Sequence, residues 1–224
     1  MEERNQKCYY KDDCKNECRK CIRFAGIQRL LRMSNIPEKC WNRECLDLYM
    51  SKDCKDRKAF EELALIQKNI VNFVNCGEQL YICSSLPGNG KTTWALKLLI
   101  AYLDEKSYWL AEKPRGMFVN VSDYLYKSKD FGNQLPVGFR DSMIDCELLV
   151  LDDIAITGLT DFDYLNLYGV IEMRELGRKA TIFTGNCVDA NAMELVLGER
   201  LTSRIWNGST LVKFVEDDAR GMKQ

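Results

Sequence analysis

Apolar residues recur along this chain at two spacings, and the alternation between them predicts an α/β architecture. Phe60, Leu63, Ile66, Ile70, Phe73 and Val74 fall at helical spacing, so Phe60–Val74 is expected to form one core-facing helix. The stretch "EQLYICS" (Glu78–Ser84) has the aromatic and β-branched content of a strand. An apolar helix near Lys91–Leu103 follows, carrying Trp94, Leu96, Leu98, Leu99 and Ile100, and then a strand from Met117 to Val121. "CELLVLDDIA" (Cys146–Ala155) reads as a further apolar strand. A helix near Phe162–Leu176 carries Leu165, Leu167, Tyr168, Val170, Ile171 and Met173, with Asp161 as its expected cap. "KATIFTGNC", a strand ending at Thr184, Gly185 and Asn186, and "STLVKFV" (Ser209–Val215) complete five strands. Strands alternating with helices predict a parallel sheet covered by helices on both faces.

Chemistry first enters at "SSLPGNGKTT" (Ser84–Thr93), between the first strand and its helix. Gly90, Lys91 and Thr92 fit the second half of G-x-x-x-x-G-K-[ST], and Ser85 stands where the pattern has its first glycine. A loop that wraps phosphate must turn tightly and aim its N–H groups inward, which Gly88 and Gly90 permit. Pro87, Gly88, Asn89, Gly90, Lys91, Thr92 and Thr93 are therefore the candidate nucleotide-binding residues. Lys91 can reach the β- and γ-phosphates, the Thr92 hydroxyl can bind Mg²⁺, and the helix presents its positive end to the anion.

Two carboxylates, Asp152 and Asp153, close the acidic strand about sixty residues later. Charges at the end of a buried strand are costly unless they serve a cation or water. Asp152 is expected to hold the Mg²⁺ water shell and Asp153 to polarise the attacking water. Asn186 could orient that water against the γ-phosphate, or be an Asn in a turn after a strand.

The chain has 224 residues, room for one good core and a small appendage. Its net charge of −1 predicts no global attraction to nucleic acid. No run of about 18 apolar residues suggests a membrane span, and "MEERNQKCYY" has no signal-peptide stretch, so a cytoplasmic location is expected. Of its 11 cysteines, seven lie at Cys8, Cys14, Cys18, Cys21, Cys40, Cys45 and Cys54. That shift in composition predicts a small front domain, 1–55, with a polar boundary near Ser51–Arg57 and a second domain over 56–224. Short spacings in a cytosolic chain read as metal ligation rather than disulfides. With no histidine in the chain, zinc would be held by cysteine or carboxylate. Cys8, Cys14, Cys18 and Cys21 form the candidate set, Cys18-x-x-Cys21 its firmest part, with Cys40, Cys45 and Cys54 as alternatives. An iron–sulfur cluster on Cys14-x-x-x-Cys18-x-x-Cys21, or reduced thiols without metal, stays open. Lys7, Lys11, Lys15, Arg19, Lys20 and Arg23 interleave these cysteines and could face a partner, nucleic acid or solvent. Cys76, Cys83, Cys146 and Cys187 are expected to be small core residues without chemistry.

"SNIPEKCW", "LPGNGKTT", "LLVLDDI", "FTGN" and "GERLTSRIW" stand in this order, and the pattern resembles the DnaC/DnaI helicase loaders, AAA+ ATPases related to the IstB transposition ATPases. The likeness covers most of Ile36–Gln224. It implies a P-loop AAA+ (ASCE) parallel five-stranded sheet in the order 5-1-4-3-2, with little or no C-terminal lid. It implies that Arg204 is an arginine finger acting on a neighbouring subunit's nucleotide, with Arg200 as second candidate; a helix-end salt bridge is the alternative. Arg220 stands where the family can have a sensor-two arginine, and the Ile36–Trp41 segment is a candidate for the adenine pocket. The cysteine-rich front end resembles the zinc-binding, helicase-contacting domain of some loaders, although its spacing does not match closely. The implied function is ATP-dependent loading of a replicative helicase, with single-stranded DNA and self-association through ATPase interfaces. The alternative is an IstB-like helper ATPase that coats duplex DNA and recruits a transposase. A non-catalytic nucleotide-binding adaptor is disfavoured by the presence of both Asp152 and Asp153.

The cysteine reading predicts that full-length protein, purified without chelator, is colourless and carries about one zinc per chain by elemental analysis. A brown, iron-loaded preparation would replace zinc with a cluster.

Overall fold

The computed structural model describes residues 22–41, 55–107, 112–129 and 135–215. Cys8, Cys14, Cys18, Cys21, Cys45, Cys54 and Arg220 lie outside these residues. The sheet has strands β1 (Gln79–Cys83), β2 (Gly116–Asn120), β3 (Leu148–Asp152), β4 (Ala180–Gly185) and β5 (Thr210–Lys213). Their order is β2-β3-β4-β1-β5, all neighbours parallel, which is the 5-1-4-3-2 arrangement read from the other edge.

The helices fall on two faces because the strands alternate. Leu80, Ile82, Leu148 and Val150 point into one core, with α1 (Ile22–Met33), α2 (Arg57–Lys68), α3 (Ile70–Asn75) and α4 (Lys91–Glu105). Tyr81, Cys83, Leu149 and Leu151 point into the other, with α5 (Val121–Lys129), α6 (Phe139–Asp145), α7 (Asp161–Leu176) and α8 (Ala190–Thr202). Burial of this kind contributes about 25 cal/mol per Å² of apolar surface and is the main force holding helices to the sheet.

Three local readings change. The expected single helix Phe60–Val74 is broken at Asn69 (φ −110°, ψ 24°), where the Asn69 side chain bonds back to the Leu65 carbonyl at 3.1 Å. The cap of α7 is Thr160, one residue before Asp161, in a reciprocal capping box with Asp163. Third, α1 buries Ile27, Leu30 and Leu31 in the same core as Leu99 and Trp94, so part of the span assigned to the front domain packs on the second. Ser34 and Asn35 extend this attachment. The Ser34 carbonyl accepts the Phe118 N–H at 2.8 Å, and the Asn35 amide donates to the Phe118 carbonyl at 2.9 Å. The Ile36–Trp41 segment therefore sits by the β2 edge, with β3 and β4 between that strand and β1.

Arg174 of α7 is 1% exposed and has no carboxylate among its partners. Its guanidinium donates to the carbonyls of Met143 (2.7 Å), Cys146 (2.8 Å) and Ala180, and to the Thr181 hydroxyl (3.0 Å). One side chain thus closes the end of α6 and joins α7 to β4. Replacing it with methionine keeps bulk but strands several buried acceptors, each worth about 1–3 kcal/mol. Arg174→Met is expected to lower unfolding free energy by about 3 kcal/mol or more in urea titration. A loss below about 1 kcal/mol would show that water reaches these carbonyls.

Candidate nucleotide-binding site

Position 83 of β1 pairs with 185 of β4, and 120 of β2 pairs with 152 of β3. Parallel register therefore brings the carboxyl ends of the strands to one rim, where ligands of open α/β sheets bind. The loop from Ser84 to Gly90 leaves β1 at this rim, and α4 begins at Lys91. Gly88 (φ 80°) and Gly90 (φ 94°) both take the left-handed backbone that glycine adopts freely. Ser85 does not adopt a positive φ, so a serine at the first-glycine position carries no such strain.

The loop is braced internally. The Ser84 hydroxyl accepts the Leu86 N–H at 3.1 Å and the Asn89 side-chain amide, and Ser84 and Asn89 are both buried. Asn89 thus faces the loop interior, which spacing alone did not reveal. The Lys91 ammonium reaches back over the loop to the Leu86 carbonyl (3.0 Å) and the Asn89 side-chain oxygen (3.4 Å). Pro87 and Thr93 flank this cradle within the same strand–loop–helix unit.

Asp152 is 6% exposed at the end of β3. Its Oδ1 accepts the Thr92 hydroxyl at 2.7 Å and the Thr184 hydroxyl at 2.8 Å. Thr184 was legible only as the end of a strand, yet it reaches both acidic residues, since its Oγ1 also accepts the Asp153 N–H at 2.9 Å. Asp153 has φ 58° and turns out of the strand toward Asn186, whose amide donates to Asp153 Oδ1 at 3.4 Å. The turn carrying Asn186 is held from below. Tyr81 donates to the Cys187 carbonyl at 2.9 Å, and a side chain at Gly185 would collide with the Tyr81 hydroxyl (Cβ to O 2.6 Å). Lys91, Thr92, Asp152, Asp153 and Asn186 are thus gathered at one rim.

Arg204 is not part of that cluster. It lies in a single π-turn, Ser203–Asn207, and its guanidinium holds α7 of its own chain. It bonds Tyr168 (2.9 Å) and Glu172 (2.9 Å), pairs with Glu175, and lies 5.1 Å from the Tyr168 ring centroid. In the single chain, then, the helix-end salt bridge is what Arg204 makes. Arg200 is exposed near the end of α8, beyond the non-helical Gly198 (φ 75°, ψ 163°).

Cysteine chemistry is absent from the rim. Burial pushes the Cys83 thiol up to about 11, against the pull of Lys213 and Lys91, and Cys146 and Cys187 are also raised by burial. Such thiols are poor nucleophiles and poor metal ligands. Cys76, expected in the core, is exposed. Among the described residues no group of three or more Cys, Asp or Glu side chains could hold a metal ion.

The residues present fit ATP·Mg²⁺. The cradle offers two left-handed glycines, a lysine and a helix N-terminus to phosphate, while a hydroxyl and a carboxylate stand 2.7 Å apart for a hard cation. Asp153 lies at the surface. Desolvation against the site floor, and then the Asp152 charge, hold its carboxyl above its ordinary value, with Lys91 opposing. A raised folded pKa means that ionised Asp153 opposes folding at neutral pH, and that this penalty vanishes below the unfolded-state pKa.

No family model and no curated protein matches the sequence. Solved structures do match by fold. The crystal structure of the DnaC helicase loader aligns at TM-score 0.63 and 23% identity, covering 84% of this chain and 99% of that one. The crystal structure of DnaI aligns at TM-score 0.59 and 17% identity, over 77% of this chain and 94% of that one. The replication initiator DnaA, bound to AMPPCP and single-stranded DNA, aligns at TM-score 0.58 and 18% identity. That match covers 78% of this chain but only 51% of DnaA.

Asp153→Asn is expected to raise the melting temperature at pH 7 and to raise it less at pH 4, where wild-type Asp153 is increasingly protonated. An equal shift at both pH values would show that ionisation is not the cause. With its cradle at the carboxyl rim of a 5-1-4-3-2 sheet, the chain has the fold of the DnaC helicase loader and of DnaI.

Proposed function

We propose that this protein is an ATPase that loads a replicative helicase, binding the helicase and single-stranded DNA as replication starts. The observation that carries the reading is the convergence of Thr92 and Asp152 beneath a braced Gly88–Lys91 loop. The near-complete overlap with a DnaC helicase loader supports the helicase-loading part. A DnaA structure with AMPPCP and single-stranded DNA on the same fold supports nucleotide and DNA as ligands.

In this reading Lys91 and the N–H groups of the loop and the α4 start bind the phosphates. Thr92 donates its hydroxyl hydrogen to Asp152 and keeps its oxygen lone pairs for Mg²⁺, while Asp152 anchors the cation's water. Mg²⁺ held by Thr92 and, through water, by Asp152 would supply charge neutralisation for phosphoryl transfer. Asp153, with its carboxyl raised toward basicity, accepts a proton from the attacking water, and Asn186 fixes the water's direction. Arg204 serves a neighbouring copy by releasing Glu172 and Glu175 and meeting the transition-state charge there. Arg220 is proposed to contact nucleotide. Residues 1–55, with zinc on Cys8, Cys14, Cys18 and Cys21, are proposed to grip the helicase. Among the described residues no helix is long and apolar enough to cross a membrane; the work on DNA is proposed to be cytoplasmic.

Lys91→Ala is expected to abolish ATP-dependent assembly and lower ATP turnover by about 100-fold or more. Arg204→Ala is expected to leave nucleotide affinity intact while turnover of the assembled protein falls by about 1000-fold. Affinity capture with a non-hydrolysable ATP analogue, followed by phosphate-release assays, checks both. Wild-type assembly by Lys91→Ala would overturn the reading, as would capture of a transposase with duplex DNA and no helicase.

A further inference from the structure

The two acidic residues at the rim leave β3 in different directions, and one buried hydroxyl bonds the carboxylate of the first and the backbone N–H of the second. Thr184 of β4 is 1% exposed. Its Oγ1 donates to Asp152 Oδ1 at 2.8 Å and accepts the Asp153 N–H at 2.9 Å. Its carbonyl accepts the Ile154 N–H at 2.8 Å, so Thr184 pins three consecutive residues of the turn. We infer that Thr184 is a positioning residue for hydrolysis, tying the carboxylate of cation-side Asp152 to the backbone N–H of water-side Asp153 through a single hydroxyl.

The chemistry of the position is restrictive. Whatever stands there must donate to an anion and accept from a backbone N–H within the thickness of one strand. A hydroxyl does both; valine, of nearly the same shape, does neither. The hydrogen bond to Asp152 fixes the face of the carboxylate left for a cation's water, because Thr92 and Thr184 both occupy Oδ1. The bond from the Asp153 N–H holds that residue at φ 58°, a conformation that non-glycine residues seldom keep without external support. Without it Asp153 is free to relax toward the extended region and carry its carboxylate away from Asn186, now 3.4 Å from it. Neither contact touches the phosphate loop, whose bracing runs through Ser84 and Asn89. Thr184 should therefore act on turnover and leave nucleotide binding alone.

The inference rests on the ATPase reading, and the experiment separates the two. Phosphate release by the full-length chain with ATP·Mg²⁺ and single-stranded DNA is compared for wild type, Thr184→Val and Thr184→Ser. Affinity for a fluorescent non-hydrolysable ATP analogue and melting temperature are measured on the same samples. The valine chain is expected to keep nucleotide affinity within about 3-fold and lose about 10- to 100-fold in kcat, the range of one hydrogen bond to a charged group. The serine chain is expected to recover kcat to within a few-fold of wild type. If the valine chain does not fold, Thr184→Ala removes the hydroxyl without added bulk and is compared with serine in the same way. Wild-type kcat in the valine or alanine chain would overturn the inference and leave the ATPase reading standing. So would a parallel loss of affinity and kcat that serine fails to restore. A wild-type chain that binds the analogue but never releases phosphate would overturn the ATPase reading, and the inference with it.

Discussion

Insertion of β4 between β1 and β3 is the constraint on which the rest of the site depends. In sequence, the phosphate loop, the acidic pair and Asn186 are separated by about sixty and then about thirty residues. Parallel pairing in register brings their strand ends to one rim. A shift of one residue in β4 would turn Thr184 to the opposite face of the sheet and remove the hydroxyl from Asp152. Register is protected on both faces, because Tyr81, Leu151 and Phe183 fill one core while Ile82, Val150 and Ile182 fill the other.

Charge at this rim is managed by hydroxyls and lysine rather than by a second cation. Asp152, though buried, keeps two hydroxyl donors on one oxygen. Its neighbour Asp153 has, among the described residues, the longer contact from Asn186 on its carboxylate, and desolvation together with the Asp152 charge shifts its carboxyl upward. Adjacent carboxylates with unlike environments can divide cation holding from proton acceptance. Away from the rim, Arg174 shows the opposite arrangement, a buried cation satisfied by neutral carbonyls and a hydroxyl at the junction of α6, α7 and β4.

Arg204 illustrates how one residue can have two partners of similar chemistry. Within its own chain it is met by Glu172, Glu175 and the Tyr168 hydroxyl and ring. The anionic oxygens among these are the same kind of partner that a guanidinium would meet on phosphate under the function proposed above. Under that proposal any service to a neighbour would compete with this internal hold on α7.

Local pattern alone determined the five strands, the helices α4 and α7 and the glycine-bearing loop between β1 and α4, since side-chain period and the strand–loop–helix context are written in consecutive residues. It also named Lys91, Thr92, Asp152, Asp153 and Asn186, because each stands at a strand end or helix start that the pattern exposes. Only the folded chain decided that Ser85 needs no glycine-like backbone, that Asn89 braces the loop, and that Thr184 joins the Asp152 carboxylate to the Asp153 backbone N–H. The last of these depends on a contact 32 residues apart in sequence, and no short-range signal separates Thr184 from any other strand threonine. The placement of Ile36–Trp41 by β2 and the attachment of α1 to the core were likewise settled by long-range packing. Periodicity reports which face of an element is apolar, and it is silent on which partner covers that face.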